Sequence, residues 1–184
     1  KNSRFDLKII LIGDELIKNY NSKRDFPYLN STSKIGPYLR FGLISVREVG
    51  KKTIEKKFDQ SFLRQLIWRD FYIQIFFHFP DSENENFKPA YDKIIWLNEE
   101  EKFEKWCAGK TGYPIVDAGM KELNATGFMH NRVRMIAASF LCKHLLIHWK
   151  KGESYFAKKL LDYEMASNVG NWQWVAGTGV DAAP

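Results

Sequence analysis

Cysteine is scarce in this chain, and the scarcity limits both its chemistry and its location. Two of the 184 residues are cysteines, Cys107 and Cys142, which is too few for a disulfide framework and lacks the spacing of a zinc site. We therefore expect two buried free thiols in a protein of a reducing compartment, the cytoplasm. His144 and His148 lie one helical turn apart, but no acidic residue or cysteine completes a recognised metal signature around them, so no metal is expected.

Long apolar runs are also absent. The most apolar segment, residues 135–149, is too polar to span a bilayer because it contains Ser139, Lys143, His144 and His148. We expect a buried helix there and no membrane association. The chain begins Lys-Asn-Ser-Arg-Phe, without an initiator methionine or a signal-peptide pattern, so it is expected to start inside a longer protein.

Two further catalytic patterns are incomplete. Gly109-Lys110-Thr111 resembles the end of a phosphate-binding P-loop, but Glu104 stands where that motif needs its first glycine. Asp162 and Glu164 are two positions apart, a spacing that points their carboxylates in different directions and argues against a glycosidase-like pair.

What is abundant is apolar and basic character. Hydrophobic residues make up 45% of the chain, enough for a substantial core. Lysine and arginine number 28 against 22 acidic residues, giving a net charge of +6. Such an excess favours a polyanion such as nucleic acid, but it also occurs as ordinary surface charge, and both interpretations remain open at this point.

Helical periodicity predominates, and no series of strands is evident. Ser45 and Glu48 fit a capping box that opens a helix through about Lys57. Four further helices are predicted over residues 63–79, 115–123, 131–149 and 154–161, with Pro80 ending the first of them. The simplest description is one all-α domain.

Aromatic and charged residues stand out within these helices. Trp172 and Trp174 are separated by one residue, so the two indoles cannot share one core position, and stacking on a ligand or electron transfer is indicated. Arg134 is expected to pair with Asp162, since an unpaired buried guanidinium would cost several kcal/mol. From these residues alone, plain core salt bridges and packed aromatics remain an alternative.

Five sequence blocks identify a family. They are TSKIGPYL (32–39), LIWRDFY (66–72), KTGYPIVDA (110–118), GFMHNRVRM (127–135) and NWQW (171–174). In this order they resemble the flavin domain of the photolyase/cryptochrome family, from about Tyr20 to Pro184. The resemblance implies a multi-helical, all-α FAD-binding catalytic domain over residues 1–184. It also implies a fragment, without the amino-terminal α/β antenna domain and the carboxy-terminal end that family members have.

The resemblance further assigns positions around FAD. Those matching the contacts to phosphates and sugars are Tyr20, Thr32, Ser33, Lys34, Ile35 and Gly36. Those matching the surroundings of the flavin ring are Arg69, Asn131, Arg134, Asp162, Glu164 and Asn168. By the same resemblance, Asn168 faces the N5 edge of the ring, where a neutral amide tolerates an anionic reduced flavin.

The implied activity is light-driven repair, in which excited reduced flavin gives an electron to a cyclobutane pyrimidine dimer flipped out of DNA. Positions matching contacts to the dimer are Gln65, Trp68, Asn131, Met135 and Trp174. Positions matching the electron-transfer chain to the flavin are Trp96, Trp149 and Trp172. A monomer that binds damaged DNA is expected.

Single residues favour one branch of the family. Asn131 and Met135 stand where six-four photolyases have two histidines. Trp174 replaces the usual tyrosine of the DASH branch, and plant cryptochromes usually lack the amide of Asn168 and the indole of Trp68. We therefore expect a class I cyclobutane pyrimidine dimer photolyase.

Three positions depart from the family pattern. Gln65 replaces the glutamate that usually contacts the dimer, Glu164 replaces an aspartate, and Gly36 replaces a serine. An amide cannot supply a proton or a charge to the dimer, so Gln65 favours the alternative of a cryptochrome-type photoreceptor without repair. A plain DNA-binding module is the third hypothesis.

Overall fold

The computed structural model describes residues 14–180, with side chains from residue 16 onward. The described residues form helices and connecting turns and no strand, which confirms the all-α prediction. The chain divides into two compact units, one ending at Phe71 and the other beginning at Tyr72. The prediction of a single domain over residues 1–184 stays a prediction.

The first unit is built from short helices around a small apolar core. Its helices are α1 (Asp14–Lys18), α2 (Tyr20–Lys23), α3 (Gly36–Arg40), α4 (Val46–Glu55) and the first half of α5 (Gln60–His78). Its core consists of Ile17, Ile35, Ile44, Val49, Phe58, Phe62 and Leu66.

Helix α4 begins where the sequence predicted it, but the predicted capping box does not form at its start. Ser45 is at the N-cap in an extended conformation, yet its hydroxyl makes no cap hydrogen bond. The expected end near Lys57 is also two residues late. The helix ends at Glu55, and Lys57 has a left-handed φ of 52°, which cannot continue a right-handed helix.

The second unit contains the remaining helices. Helix α5 ends at His78, and Pro80 opens a 3₁₀ turn, Pro80–Glu83, as expected of a residue without a backbone N–H. After a second 3₁₀ turn, Pro89–Lys93, come α6 (Glu100–Cys107), α7 (Pro114–Thr126), α8 (Asn131–Ser139), α9 (Trp149–Lys159) and α10 (Met165–Ala176).

The continuous helix predicted over residues 131–149 is wrong. Helix α8 ends at Ser139 and passes into a π-helical turn, Phe140–His144. Leu146 then has a φ of 51°, and its carbonyl accepts a hydrogen bond of 2.9 Å from the N–H of Leu97. The apolar pattern continues through this break because the residues on both sides face the same core, so periodicity alone could not reveal it.

The core of the second unit is aromatic. Trp106, Trp149, Phe156 and Trp172 lie within it, and the indole N–H of Trp106 donates to the carbonyl of Ala137 at 3.0 Å. Gly152 on α9 allows close packing against α10, because a Cβ there would stand 2.2 Å from Cη2 of Trp172.

Both cysteines are free thiols, but only Cys142 is fully buried, whereas Cys107 is half-buried at the end of α6. Burial raises the pKa of Cys142 to about 12, so the thiolate is disfavoured there. Within residues 14–180, no helix has the length and apolarity to cross a membrane, and no cluster of three or more His, Cys, Asp or Glu could hold a metal.

Candidate functional site

An ion pair between Arg134 on α8 and Asp162, which follows α9, fixes one guanidinium. Nη2 of Arg134 lies 3.0 Å from each carboxylate oxygen of Asp162, and Nε donates to the carbonyl of Met129 at 2.7 Å. The two side chains are 24% and 20% exposed. The predicted pair is therefore present, and it holds a cation and an anion in set orientations while leaving part of each accessible.

Glu164 and Asn168 lie on the first turn of α10. The carboxylate of Glu164 caps this helix, accepting bonds from the N–H of Ala166 and from both the N–H and the hydroxyl of Ser167, at 2.7–3.2 Å. A negative charge at this end is also favoured by the helix dipole. The amide nitrogen of Asn168 donates to Oε1 of Glu153 at 3.0 Å, which ties α10 to α9.

Asn131 and Met135 meet at the start of α8. Nδ2 of Asn131 and Nη1 of Arg132 each lie 3.8 Å from the sulfur of Met135. The helix begins here because Nδ1 of His130 accepts a hydrogen bond from the N–H of Arg132 at 3.2 Å and caps its first turn. The structure thus brings together two residues predicted to contact a lesion.

An open groove of about 410 Å³ lies on the same side of α8. Met135 and Trp174 line it, together with Tyr113, Phe140, Arg132 and Lys143. Its walls are mostly apolar and aromatic, whereas its charged groups are cationic. Such a combination suits a flat aromatic base attached to a phosphate backbone.

Two of the three tryptophans predicted to transfer electrons flank a histidine. The ring of His148 lies 5.3 Å from that of Trp96 and 5.7 Å from that of Trp149, measured between centroids. Trp149 is buried, whereas Trp96 is half-buried. Burial, and then the neighbouring charge of Lys150, lowers the pKa of His148.

The third tryptophan, Trp172, lies in the same core as Trp149. Its ring is 5.0 Å from Phe156 and 6.2 Å from Trp106, between centroids. It packs against Gly152, one helical turn after Trp149 on α9. Trp172 and Trp149 are both buried and Trp96 is half-buried, so Trp96 is the most accessible of the three.

In the first unit, three predicted residues share one side of α5. Gln65, Trp68 and Arg69 are spaced by three and four positions, while Leu66 of the same helix enters the core. The indole of Trp68 is 42% exposed and packs edge-on against Phe71 at 5.3 Å. Gln65 donates to the carbonyl of Ser61 within its own helix.

The predicted phosphate-contacting segment precedes α3. Thr32 and Ser33 are half-buried, Lys34 is exposed with a left-handed φ of 48°, and Gly36 opens the helix. The side chain of Ile35 instead belongs to the apolar core. Its predicted contact with a cofactor is therefore restricted to its main chain.

Tyr20 provides a half-buried aromatic ring in the same unit. It packs edge-on against Phe62 at 5.3 Å, and the guanidinium of Arg24 lies 5.8 Å from its centroid. Burial raises the pKa of the Tyr20 phenol, so it remains a hydrogen-bond donor at neutral pH. Nε of Arg24 is buried and has no hydrogen-bond partner among the described residues.

Comparison with known proteins decides the family. Residues 62–184 match the family described as the FAD binding domain of DNA photolyase. The chain belongs to this family. The family's description names FAD as the ligand of the domain, in agreement with the predicted cofactor.

The similar proteins include photolyases and a cryptochrome. The chain is 46% identical over 177 residues to the deoxyribodipyrimidine photo-lyase of Agrobacterium fabrum, covering 93% of this chain and 37% of that protein. A crystal structure of a class III photolyase from Agrobacterium tumefaciens superimposes with a TM-score of 0.90 at 43% identity, over 98% of this chain and 39% of the other. A cryptochrome from Synechocystis sp. PCC6803 gives a TM-score of 0.87 at 33% identity, over 98% and 40%.

These similarities confirm the photolyase family and leave its branch open. The sequence predicted class I, and a class III enzyme is among the similar structures, so class I stays a prediction. The chain spans about 37% of the length of its curated relative. The roles of the individual residues are likewise predictions from the resemblance.

Three residues that sequence reasoning did not single out support this photolyase-family site. Asn86 accepts a hydrogen bond of 2.8 Å from the indole N–H of Trp149. Gln173 donates to the carbonyls of Ser82 and Glu85 and accepts from the N–H of Phe87. Trp106 borders Trp172. A polar residue between two tryptophans signals Gln173, but no local pattern marks Asn86, whose partner is 63 positions away.

Proposed function

We propose that this chain is the FAD-binding catalytic part of a light-driven lyase that splits cyclobutane pyrimidine dimers in DNA. The observation that carries the proposal is the arrangement of α8. Consecutive positions on this helix hold Arg134, fixed by Asp162, and Met135, which lines the aromatic and cationic groove together with Trp174. A polar pair for a cofactor and a stacking surface for a base therefore adjoin along the chain.

The donors and acceptors present fit FAD in their chemistry. The Arg134–Asp162 pair offers both a donor and an acceptor, as the polar edge of a flavin ring requires, and Asn168 adds a neutral amide. The hydrogen bonds by which the Glu164 carboxylate caps α10 hold this predicted flavin-site residue in position. In the first unit, the hydroxyls of Thr32 and Ser33, the ammonium of Lys34 and the guanidinium of Arg24, whose buried Nε makes no hydrogen bond among the described residues, are of the kinds that bind phosphate.

When bound and reduced, FAD supplies a light-excited donor of one electron. The chain's own residues bind and orient the dimer. Trp174 stacks on the flipped pyrimidines from the groove, Trp68 is the second stacking residue, and Met135 contacts their edge. Asn131 and Gln65 offer amides to the thymine carbonyl and imide groups.

The remaining tryptophans restore the reduced state. Trp172 gives an electron inward and is refilled through Trp149 from Trp96, the most accessible of the three. Because repair itself returns its electron, these three tryptophans are needed only when the cofactor has become oxidised. A variant can therefore lose electron transfer through the tryptophans and still repair DNA.

The proposal extends to the binding partner and the cellular compartment of the protein. The net charge of +6 and the groove formed in part by Arg132 and Lys143 suit DNA, which we propose as the partner of a monomer. Free thiols at both cysteines fit the reducing cytoplasm.

The test uses the full-length protein with its FAD reduced anaerobically, and oligonucleotides that each carry one defined lesion. Under blue light we expect restoration of the cyclobutane dimer and not of the six-four product, with no reaction in darkness. Bound, reduced FAD without any repair would contradict the proposal.

A photoreceptor that repairs nothing is the second candidate, and Gln65 is the observation that favours it. The similarity to the Synechocystis cryptochrome is compatible with that function. If repair is absent, Gln65→Glu should be tested next. Repair gained in that variant would assign the loss to the missing carboxyl group.

A further inference from the structure

We propose that Asn86, with Asp92 behind it, makes Trp149 the residue on which a positive hole is stabilised without loss of its proton. This inference rests on the proposed function, because it concerns the tryptophans that restore the reduced cofactor. It adds a residue of the loop 84–88, outside the tryptophans themselves, to the control of electron transfer.

The hydrogen bond to Trp149 is buried and well formed. The indole Nε1 of Trp149 donates to Oδ1 of Asn86 at 2.8 Å, and both residues are almost completely buried. A bond in such surroundings is stronger than one exposed to water. The amide of Asn86 thus specifies the polar environment of this indole.

A carboxylate polarises the amide from its other end. Nδ2 of Asn86 donates to Oδ1 of Asp92 at 2.6 Å. Asp92 is exposed, but its negative charge pulls on the amide protons and increases electron density at the oxygen that faces Trp149. The link runs from the buried indole, through one amide, to a charge at the surface.

The two neighbours of Trp149 in the chain, His148 and Lys150, both carry titratable side chains. The ring of His148 stacks on Trp149, and its lowered pKa keeps it uncharged near neutral pH. The ammonium of Lys150 is held by the backbone carbonyl of Asn84 at 2.7 Å. The hydrogen bonds from Trp149 through Asn86 end on the anion of Asp92, so this network favours a cation on the indole.

The loop that carries Asn86 is itself fixed in place. Gln173, between Trp172 and Trp174, bonds to Ser82, Glu85 and Phe87 on both sides of Asn86. Helix α10 therefore positions the acceptor for Trp149 through the residue next to Trp172.

The step is a one-electron exchange between two indoles. Bound FAD would supply the one-electron oxidant for Trp172 under light, and Trp149 would then give one electron to the Trp172 radical cation. Trp172 is restored and Trp149 becomes a radical cation. Because an amide oxygen accepts a hydrogen bond but is a very weak base, the proton stays on Nε1 of Trp149 until Trp96 supplies the next electron. A hydrogen bond to a charged group is stronger than one to its neutral form, and this difference favours the hole on Trp149.

The decisive variant combines Asn86→Asp with Asp92→Asn in the full-length, FAD-loaded protein, which keeps the shape of both side chains and leaves a single carboxylate in the network, bonded to the indole of Trp149. The carboxylate would accept the indole proton once Trp149 is oxidised, so transient absorption should show a neutral tryptophan radical in place of the radical cation. In darkness, the indole ¹⁵N–¹H resonance of Trp149, assigned with Trp149→Phe, should also move. An unchanged radical cation in this variant would overturn the inference.

Two further variants test the same hydrogen bonds independently. Asn86→Leu removes the acceptor and should lower the yield of radicals beyond Trp172 by about tenfold, the size expected for one lost bond to a charged group. Asp92→Asn leaves the fold untouched at an exposed position and should give a smaller decrease. Glu85→Gln, which removes a charge from the same loop and keeps the backbone carbonyl that Gln173 binds, is the matched control and should behave as wild type. A yield unaltered in both Asn86→Leu and Asp92→Asn would overturn the inference.

The outcome is distinguishable from failure of the proposed function. Repair by the pre-reduced protein does not require the tryptophans, so its absence in wild type would contradict the lyase assignment alone. Absence of any tryptophan radical in wild type would instead overturn the electron-transfer chain, and the role of Asn86 with it.

Discussion

Trp172 and Trp174 are two residues apart on α10, and their surroundings differ in almost every respect. Trp172 is 2% exposed and packs against Gly152, Phe156 and Trp106. Trp174 is half-buried and lines an open groove with Met135 and two cationic side chains. The same side chain therefore faces a closed aromatic core in one case and a binding surface in the other.

The difference in surroundings suits the two different tasks predicted for these residues. An indole enclosed by other aromatics is suited to exchange electrons, because no ligand can reach it. An indole that forms the wall of a groove offers its face to a base. Gln173 stands between them and holds the helix to the loop 82–87, so both environments depend on one buried amide.

The largest effect that would break the comparison is expected from Trp172→Phe. Phenylalanine preserves the packing but is far harder to oxidise, so light-driven reduction of bound FAD should fall to background. Repair by the pre-reduced enzyme should be retained. The measurement is flavin absorbance under blue light in the full-length protein, with Trp174→Phe as the control. Normal photoreduction in Trp172→Phe would remove it from the chain of electron donors.

Gln173→Leu tests whether the two environments share one support. The side chain is 2% exposed and makes three hydrogen bonds, and its loss leaves two carbonyls and one N–H without partners. We expect the free energy of unfolding to fall by about 3 kcal/mol. Asn171→Ala, on the exposed side of the same helix, should change it by less than about 0.5 kcal/mol. Denaturant titration of both variants makes the comparison, and equal effects would refute a special role for Gln173.

The sequence predicted the helices well where the signal was local, as at Pro80 and in the spacing of apolar residues in α5 and α7. The Arg134–Asp162 pair, 28 positions apart, was anticipated because a buried guanidinium needs a partner. The break at Leu146 was not, because a left-handed residue and a long-range bond from Leu97 decide it. The hydrogen bond from Trp149 to Asn86 was missed for the same reason, because the two residues are 63 positions apart and no local sequence pattern links them.

Trp174→Ala sharpens the groove side of the comparison. Losing one stacked base contact should weaken binding of lesion-containing DNA by about 1–3 kcal/mol. Photoreduction should be unchanged, because Trp174 has no part in the proposed electron-transfer chain. Binding is measured in darkness at fixed salt concentration, since phosphate contacts make the affinity salt-dependent. Unchanged affinity would remove Trp174 from the lesion site.

The smallest effect concerns His148, which links the buried Trp149 to the more accessible Trp96. Its Nδ1 accepts the N–H of Lys150 and caps α9, and protonation of that nitrogen would break the cap. Since burial lowers the pKa of His148 in the folded protein, the unfolded chain binds more protons as the pH falls below 6.5. Stability contributed by the neutral ring is thus fully present above pH 6.5 and is lost as the pH falls through the folded-state pKa. Because solvent reaches part of the ring and screens it, the loss should stay below about 1 kcal/mol.

His148→Asn retains a capping side chain that does not titrate, so the difference in unfolding free energy between wild type and this variant should shrink or reverse as the pH falls. A difference that stays constant from pH 8 to 5 would show that the His148 ring does not contribute to the pH dependence.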